Sequence, residues 1–141
     1  MKVLKVAFIS LMAILTVCSC GGYKHSTIPD VDVNFTIYPN DAAYAPLNHI
    51  GGYMYLTGGV AGIVVYRLDV STFLAYDRAC PYDWEDTNAW ICVDESGLTL
   101  SDANCGSQFN ILDGGVISGP SPYPLKPYKT RFDGMILRVY N

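Results

Sequence analysis

Beyond residue 32, the chain consists of short stretches in which apolar and polar residues alternate or apolar residues cluster. Val33, Phe35 and Ile37 alternate with Asn34, Thr36 and Tyr38, which is the period of two expected of a half-buried strand. Similar alternation, or a short aromatic or β-branched run, predicts further strands at residues 53–56, 62–66, 73–77, 90–94, 98–100, 109–112, 116–117 and 135–140.

Glycine-rich turns separate these predicted strands. Residues 95–97 and 113–115 are each flanked by strand patterns and predict two hairpins. The composition of residues 39–49 predicts a polar loop. After residue 32 the sequence shows no amphipathic helical pattern, no internal repeat and no sign of a second domain. Many short strands joined by such turns are typical of an all-β fold, either an antiparallel β sandwich or a small barrel, here spanning residues 33–141.

The first twenty residues have the pattern of an export signal. Lys2 and Lys5 precede an apolar run over residues 6–17, which is shorter than the roughly 20 apolar residues of a membrane-spanning helix. The end of this segment resembles the lipobox of bacterial lipoproteins, in which a small residue such as Ser19 directly precedes the modified cysteine, Cys20. We therefore expect residues 1–19 to be a signal peptide, Cys20 to carry lipid, and residues 20–32 to form a tether.

The net charge of the chain limits the classes of partner that we expect. Removal of residues 1–19 leaves seven basic and thirteen acidic residues, a net charge of −6 with no basic cluster. This balance argues against nucleic acid as a partner, and it leaves membrane attachment to the lipid rather than to anionic headgroups. Because no acidic residue directly follows the modified cysteine, resemblance to other lipoproteins implies the outer membrane, with the domain facing the periplasm.

The stretch from residue 80 to residue 125 resembles the Rieske iron–sulfur family. That family has a first loop Cys-x-His, a second loop Cys-x-x-His-Gly-Ser-x-Phe/Tyr, a glycine-bearing hairpin and a Gly-Pro loop that ends in Pro-Leu. The matching segments in this chain are Cys80-Pro81-Tyr82, Cys105-Gly106-Ser107-Gln108-Phe109, Gly114-Gly115, Gly119-Pro120 and Pro124-Leu125. From about residue 31 onward the chain is similar to small Rieske-like lipoproteins of Gram-negative bacteria, which implies a Rieske-like β domain.

The ligand positions of that family are altered in this chain. A Rieske 2Fe–2S cluster takes two thiolates on one iron and two imidazoles on the other. The resemblance places Cys80, Tyr82, Asp102 and Cys105 at these positions, and the histidines of the chain, His25 and His49, lie elsewhere. We therefore expect no cofactor, with an atypical 2Fe–2S cluster and a zinc site formed by Cys80, Asp102 and Cys105 as alternatives.

The resemblance also implies a use for the remaining cysteines. The two loops of the family face each other, so Cys80 and Cys105 would lie close together in an oxidising compartment, and we expect a structural disulfide between them. Cys92 lies within a strand pattern, and we expect it to be buried, although it could compete for either partner.

These observations predict an envelope lipoprotein whose Rieske-like domain has lost its cluster and acts as an interaction or structural module. Its partners would be the membrane, through the lipid, and an envelope protein. The alternatives are an electron-transfer protein with an atypical 2Fe–2S cluster and, last, a thiol–disulfide redox protein that uses Cys80 and Cys105. Neither histidine is placed for a hydrolytic triad. We expect no enzymatic activity, with a Rieske-type electron carrier associated with an oxidoreductase as the alternative.

Overall fold

The computed structural model describes residues 28–88 and 90–141. The predicted signal peptide, Cys20 and tether residues 21–27 lie outside the described residues. The described residues contain no helix that is both long enough and apolar enough to cross a membrane. The described strands are β1 Asn34–Ile37, β2 Tyr53–Leu56, β3 Ile63–Arg67, β4 Phe73–Asp77, β5 Ile91–Val93, β6 Thr99–Asp102, β7 Gln108–Asn110, β8 Val116–Ser118, β9 Pro127–Phe132 and β10 Leu137–Tyr140.

The strands form two antiparallel sheets. The larger sheet has six strands in the order β1-β10-β9-β4-β3-β2, and the smaller has four in the order β5-β6-β7-β8. Both predicted hairpins are confirmed, as β5 pairs with β6 and β7 with β8. The fold class predicted from the sequence, an all-β antiparallel sandwich, is confirmed.

Two apolar clusters form the core, and β3 contributes to both. Val64 and Tyr66 pack in one cluster with residues of the smaller sheet such as Ile91 and Phe109. Ile63 and Val65 lie in the other cluster, with residues of β1 and β10. This strand is therefore covered on both faces, which explains why it is an uninterrupted apolar run rather than an alternating pattern.

Two elements differ from the sequence-based expectation. The predicted polar loop contains a 3₁₀ helix at Ala42–Asn48, which is interrupted at Tyr44 and buries Leu47 completely. Strand β9, Pro127–Phe132, was not predicted, because it carries several polar residues and buries few of its side chains.

The prediction that Cys92 is buried was wrong. In β5 the side chains of Ile91 and Val93 face the core, so the residue between them faces the opposite side. Cys92 is accordingly exposed, and its Sγ atom lies 3.5 Å from Nη2 of Arg78.

A buried carboxylate at the end of β4 fixes the chain just before the first candidate loop. Asp77 is fully buried and accepts hydrogen bonds from the backbone N–H groups of Val60, Ala61 and Ala79 and from the hydroxyl of Tyr128. Ala79 also forms an isolated antiparallel bridge with Trp90. These contacts fix the position of residues 77–79, which lead directly into Cys80.

Candidate functional site

The candidate site lies where the β4–β5 connection meets the β6–β7 connection. The first loop begins at Cys80, whose side chain is fully buried in the core cluster beneath the smaller sheet. The N–H of Asp83 donates to the carbonyl of Cys80 at 3.3 Å, which closes a turn with Pro81 at its second position, where proline is favoured. This turn brings the side chain of Asp83 back toward Cys80.

The second loop is a tight turn at the end of β6. The N–H of Gly106 donates to the carbonyl of Asp102 at 2.9 Å, and the N–H of Asn104 donates to Oδ1 of Asp102 at 2.7 Å. Side chains such as Asp commonly accept from the backbone two residues later and thereby stabilise turns. Cys105 projects from this turn, and its Sγ atom lies 3.1 Å from Oγ of Ser107.

A third loop packs against the second. The N–H of Ser121 donates to Oγ of Ser107 at 3.1 Å. Gly119 has a φ of +95°, and a Cβ atom at this position would lie 2.5 Å from Cα of Ser107 and 2.8 Å from the carbonyl oxygen of Gly106. Only glycine therefore allows this close approach without displacing the second loop.

Four side chains with metal-ligating atoms meet between the first two loops. They belong to Cys80, Asp83, Asp102 and Cys105, and one ligand atom of each lies within 4.8 Å of the others. The two Sγ atoms are 3.6 Å apart, well beyond the bond length of about 2.05 Å in a disulfide. Both cysteines are free thiols in this structure, and their disulfide stays a prediction.

Each carboxylate of this group has one oxygen without a hydrogen-bond partner. Oδ1 of Asp83 and Oδ2 of Asp102 are buried and accept no hydrogen bond from the described residues. The other oxygens are engaged by one residue, because Asn104 donates its Nδ2–H to Oδ2 of Asp83 at 2.8 Å and its backbone N–H to Oδ1 of Asp102. Asn104 thus orients both carboxylates and ties the two loops together.

The surroundings of Cys80 keep its thiol protonated in the absence of a bound cation. Burial raises the pKa of the Cys80 thiol, and the neighbouring side chains of Asp83, Cys105 and Asp102 raise this pKa further, while the backbone N–H of Tyr82 opposes the shift. A buried thiol with a raised pKa is a poor nucleophile, since the thiolate is the reactive form.

Three of the four residues placed at ligand positions from the sequence do meet in space: Cys80, Asp102 and Cys105. Tyr82, the fourth, is 55% exposed. Asp83 was not recognised from the sequence, although the Cys-Pro-x-Asp turn could have indicated it, because such a turn returns the chain toward its first residue. His49 is exposed and is not part of the group, and His25 lies outside the described residues.

Comparison with known proteins supports the fold. A chain of the complex of reduced oxygenase and oxidised ferredoxin in carbazole 1,9a-dioxygenase is similar, with a TM-score of 0.51 and 20% sequence identity over 76% of this chain and 93% of that chain. A putative NADH-dependent nitrite reductase small subunit from Mycobacterium tuberculosis has a TM-score of 0.45 and 17% identity over 79% of this chain and 97% of that one. No family model and no curated protein matches the sequence.

The fold is therefore that of Rieske-type domains. The donor set at the site, however, does not fit the cluster of that fold. Among the described residues the converging ligand atoms are sulfur and oxygen, with no imidazole. In addition, the resemblance assigns Cys80 to a thiolate position and Cys105 to an imidazole position, which belong to different irons. Two sulfur atoms 3.6 Å apart are instead at the separation of ligands that share a single ion.

Proposed function

We propose that this protein is an exported, lipid-anchored envelope protein whose Rieske-type domain acts as a structural or interaction module without a histidine-ligated 2Fe–2S cluster. One observation carries the proposal. The four side chains that converge between the loops, Cys80, Asp83, Asp102 and Cys105, provide two sulfur and two carboxylate ligands. The Rieske cluster requires two imidazoles on one of its irons, and these side chains cannot supply them.

The anchoring part of the proposal rests on the N-terminal sequence. A basic start, a short apolar run and a small residue before Cys20 support export and acylation at that cysteine. Two or more acyl chains hold a protein stably at a membrane, whereas a single chain holds it only marginally. The outer membrane, with the domain facing the periplasm, is the proposed location, and an envelope protein is the proposed partner.

The decisive experiment is an analysis of the full chain purified without oxygen. We expect a preparation that lacks the visible absorption of an iron–sulfur cluster and contains neither iron nor acid-labile sulfide in stoichiometric amounts. Iron and sulfide at two atoms each per chain, with a visible spectrum, would overturn the proposal.

The second candidate function is electron transfer by an atypical 2Fe–2S cluster. Two features favour it: the fold, and a partly buried group of four side chains with sulfur and oxygen ligands. Iron–sulfur clusters are ordinarily held by thiolates, with histidine in Rieske centres, whereas two of the four converging side chains here, Asp83 and Asp102, offer carboxylate oxygens. Iron and sulfide analysis separates this candidate from the first.

Thiol–disulfide exchange ranks third. Catalytic thiols are partly exposed and have a lowered pKa, whereas Cys80 is fully buried and its pKa is raised. A disulfide between Cys80 and Cys105 would therefore be structural rather than catalytic.

A further inference from the structure

The group between the first two loops has the dimensions of a site for one metal ion. In a tetrahedral zinc site the metal–sulfur distance is about 2.3 Å and the metal–oxygen distance about 2.0–2.2 Å, so neighbouring ligand atoms lie roughly 3.3–3.8 Å apart. The Sγ atoms of Cys80 and Cys105 are 3.6 Å apart. All four ligand atoms, including those of Asp83 and Asp102, lie within 4.8 Å of one another, so only a small contraction is needed.

A second observation, independent of the spacing, is that the group contains buried carboxylate oxygens that are available to a cation. Asp102 is only 1% exposed, and its Oδ2 atom is buried without a hydrogen-bond partner among the described residues. Oδ1 of Asp83 is likewise buried without a hydrogen-bond partner among the described residues. Burial of a carboxylate without a partner is costly, and buried charges in proteins are paired or coordinate metals. A cation between the loops would satisfy both oxygens.

The surrounding hydrogen bonds orient the carboxylates for such a cation. Asn104 engages Oδ2 of Asp83 and Oδ1 of Asp102, at 2.8 Å and 2.7 Å. The oxygens left without partners are therefore the ones that remain available for a metal. Ligating carboxylates are commonly held in place by hydrogen bonds of this kind, and loss of such a partner typically weakens metal binding about 10–100-fold.

The ligand types select the class of metal. Thiolates favour soft or borderline ions, whereas Ca²⁺ and Mg²⁺ take oxygen ligands. Four ligands in a tetrahedral arrangement that includes two thiolates suit Zn²⁺, and a site closed by four protein ligands is structural rather than catalytic.

We infer that Cys80, Asp83, Asp102 and Cys105 bind a single Zn²⁺ ion that holds the β4–β5 and β6–β7 loops together. Both thiols lose their protons when the ion binds, and these protons are released to solvent. The inference deepens the proposed function and depends on it, because a two-iron cluster would occupy the same side chains.

The test is metal binding by the purified full chain, with Zn²⁺ and Co²⁺ as probes. After chelation under reducing conditions, we expect one equivalent of either ion to bind. Bound Co²⁺ should give the sulfur-to-cobalt charge-transfer absorption of two thiolates and the visible bands of a tetrahedral site. Asp102→Asn and Cys105→Ser should each abolish stoichiometric binding, and Asn104→Ala should weaken it about 10–100-fold.

Matched controls are available in the same region of the chain. Cys92→Ser removes an exposed cysteine that is outside the group, and Glu85→Gln removes an exposed acidic residue of the first loop. Both should bind Co²⁺ as the unaltered chain does, whereas Asp83→Asn should not. Circular dichroism of each variant would distinguish loss of the site from loss of the fold, and Asp83→Asn, at a partly exposed position, is the variant expected to fold most readily.

Two kinds of result would overturn the inference. One is a reduced chain that binds neither ion, or that binds Co²⁺ equally well after Asp83→Asn and Asp102→Asn. The other is a purified chain in which Cys80 and Cys105 are joined in a disulfide and no metal is present. Both results leave the proposed function standing. Stoichiometric iron with sulfide, in contrast, would remove the proposed function itself.

Discussion

Asp77→Ala should destabilise the domain more than any other single loss of a polar contact described here. The carboxylate accepts four hydrogen bonds: from the N–H groups of Val60, Ala61 and Ala79 and from the hydroxyl of Tyr128, at 2.7, 3.1, 2.9 and 2.7 Å. The N–H of Ala79 and the hydroxyl of Tyr128 are buried, so each of these donors would cost about 1–3 kcal/mol when left without a partner. The N–H groups of Val60 and Ala61 are only partly buried and can reach water. We therefore expect a loss of about 3–5 kcal/mol in the free energy of unfolding.

Two milder variants calibrate this prediction. Tyr128→Phe removes one hydrogen bond and leaves Asp77 with its three backbone donors, so it should cost about 1–2 kcal/mol. Burial and the Asp77 carboxylate raise the pKa of the Tyr128 hydroxyl, which keeps it a donor. Asp77→Asn should fall between the two, because the amide retains one acceptor oxygen. The assay is urea unfolding of the full chain. An Asp77→Ala variant that loses no more stability than Tyr128→Phe would contradict the role of the buried carboxylate.

Three further predictions concern the loops and the N-terminal segment. Gly119→Ala should loosen the second loop and lower both the unfolding midpoint and the affinity for Co²⁺, because the added Cβ would overlap the backbone of Ser107; an unchanged midpoint would contradict the packing of the third loop. Brief alkylation of the native chain should modify the exposed Cys92 and spare the buried Cys80, and equal labelling of both by peptide mass spectrometry would contradict the burial described here. A fatty-acid probe should label cells that produce the unaltered chain but not cells that produce Cys20→Ala, and equal labelling of the two would exclude that cysteine as the modified residue.

The strands that were predicted best from the sequence are those whose hydrophobic pattern along the chain matches their burial in the folded domain. Strands β2 and β4 have the predicted bounds, 53–56 and 73–77, since each is a compact apolar or aromatic run between turn residues. Strand β9 was missed because it carries several polar residues and only one of its six residues is buried. The 3₁₀ helix was missed because Leu47 is the one residue in it that is buried.

The candidate site was predicted only as far as the family motif extends. The motif placed Cys80, Tyr82, Asp102 and Cys105 at one site. The structure brings the side chains of Cys80, Asp102 and Cys105 into one group, whereas Tyr82 is exposed and is not part of it. Asp83 lies one residue beyond the first motif, and only the geometry of the turn shows that it points back toward Cys80. The orientation of the carboxylates by Asn104 depends on a contact across 21 residues, which no local pattern could indicate.

X-ray absorption of the purified, metal-loaded full chain at the zinc and iron edges would show directly whether one zinc ion or an iron–sulfur cluster occupies the group formed by Cys80, Asp83, Asp102 and Cys105. We expect zinc with two sulfur neighbours at about 2.3 Å and two oxygen neighbours at about 2.0–2.2 Å, with no second metal nearby. Iron with sulfide bridges, a neighbouring iron and nitrogen ligands from imidazole would contradict it.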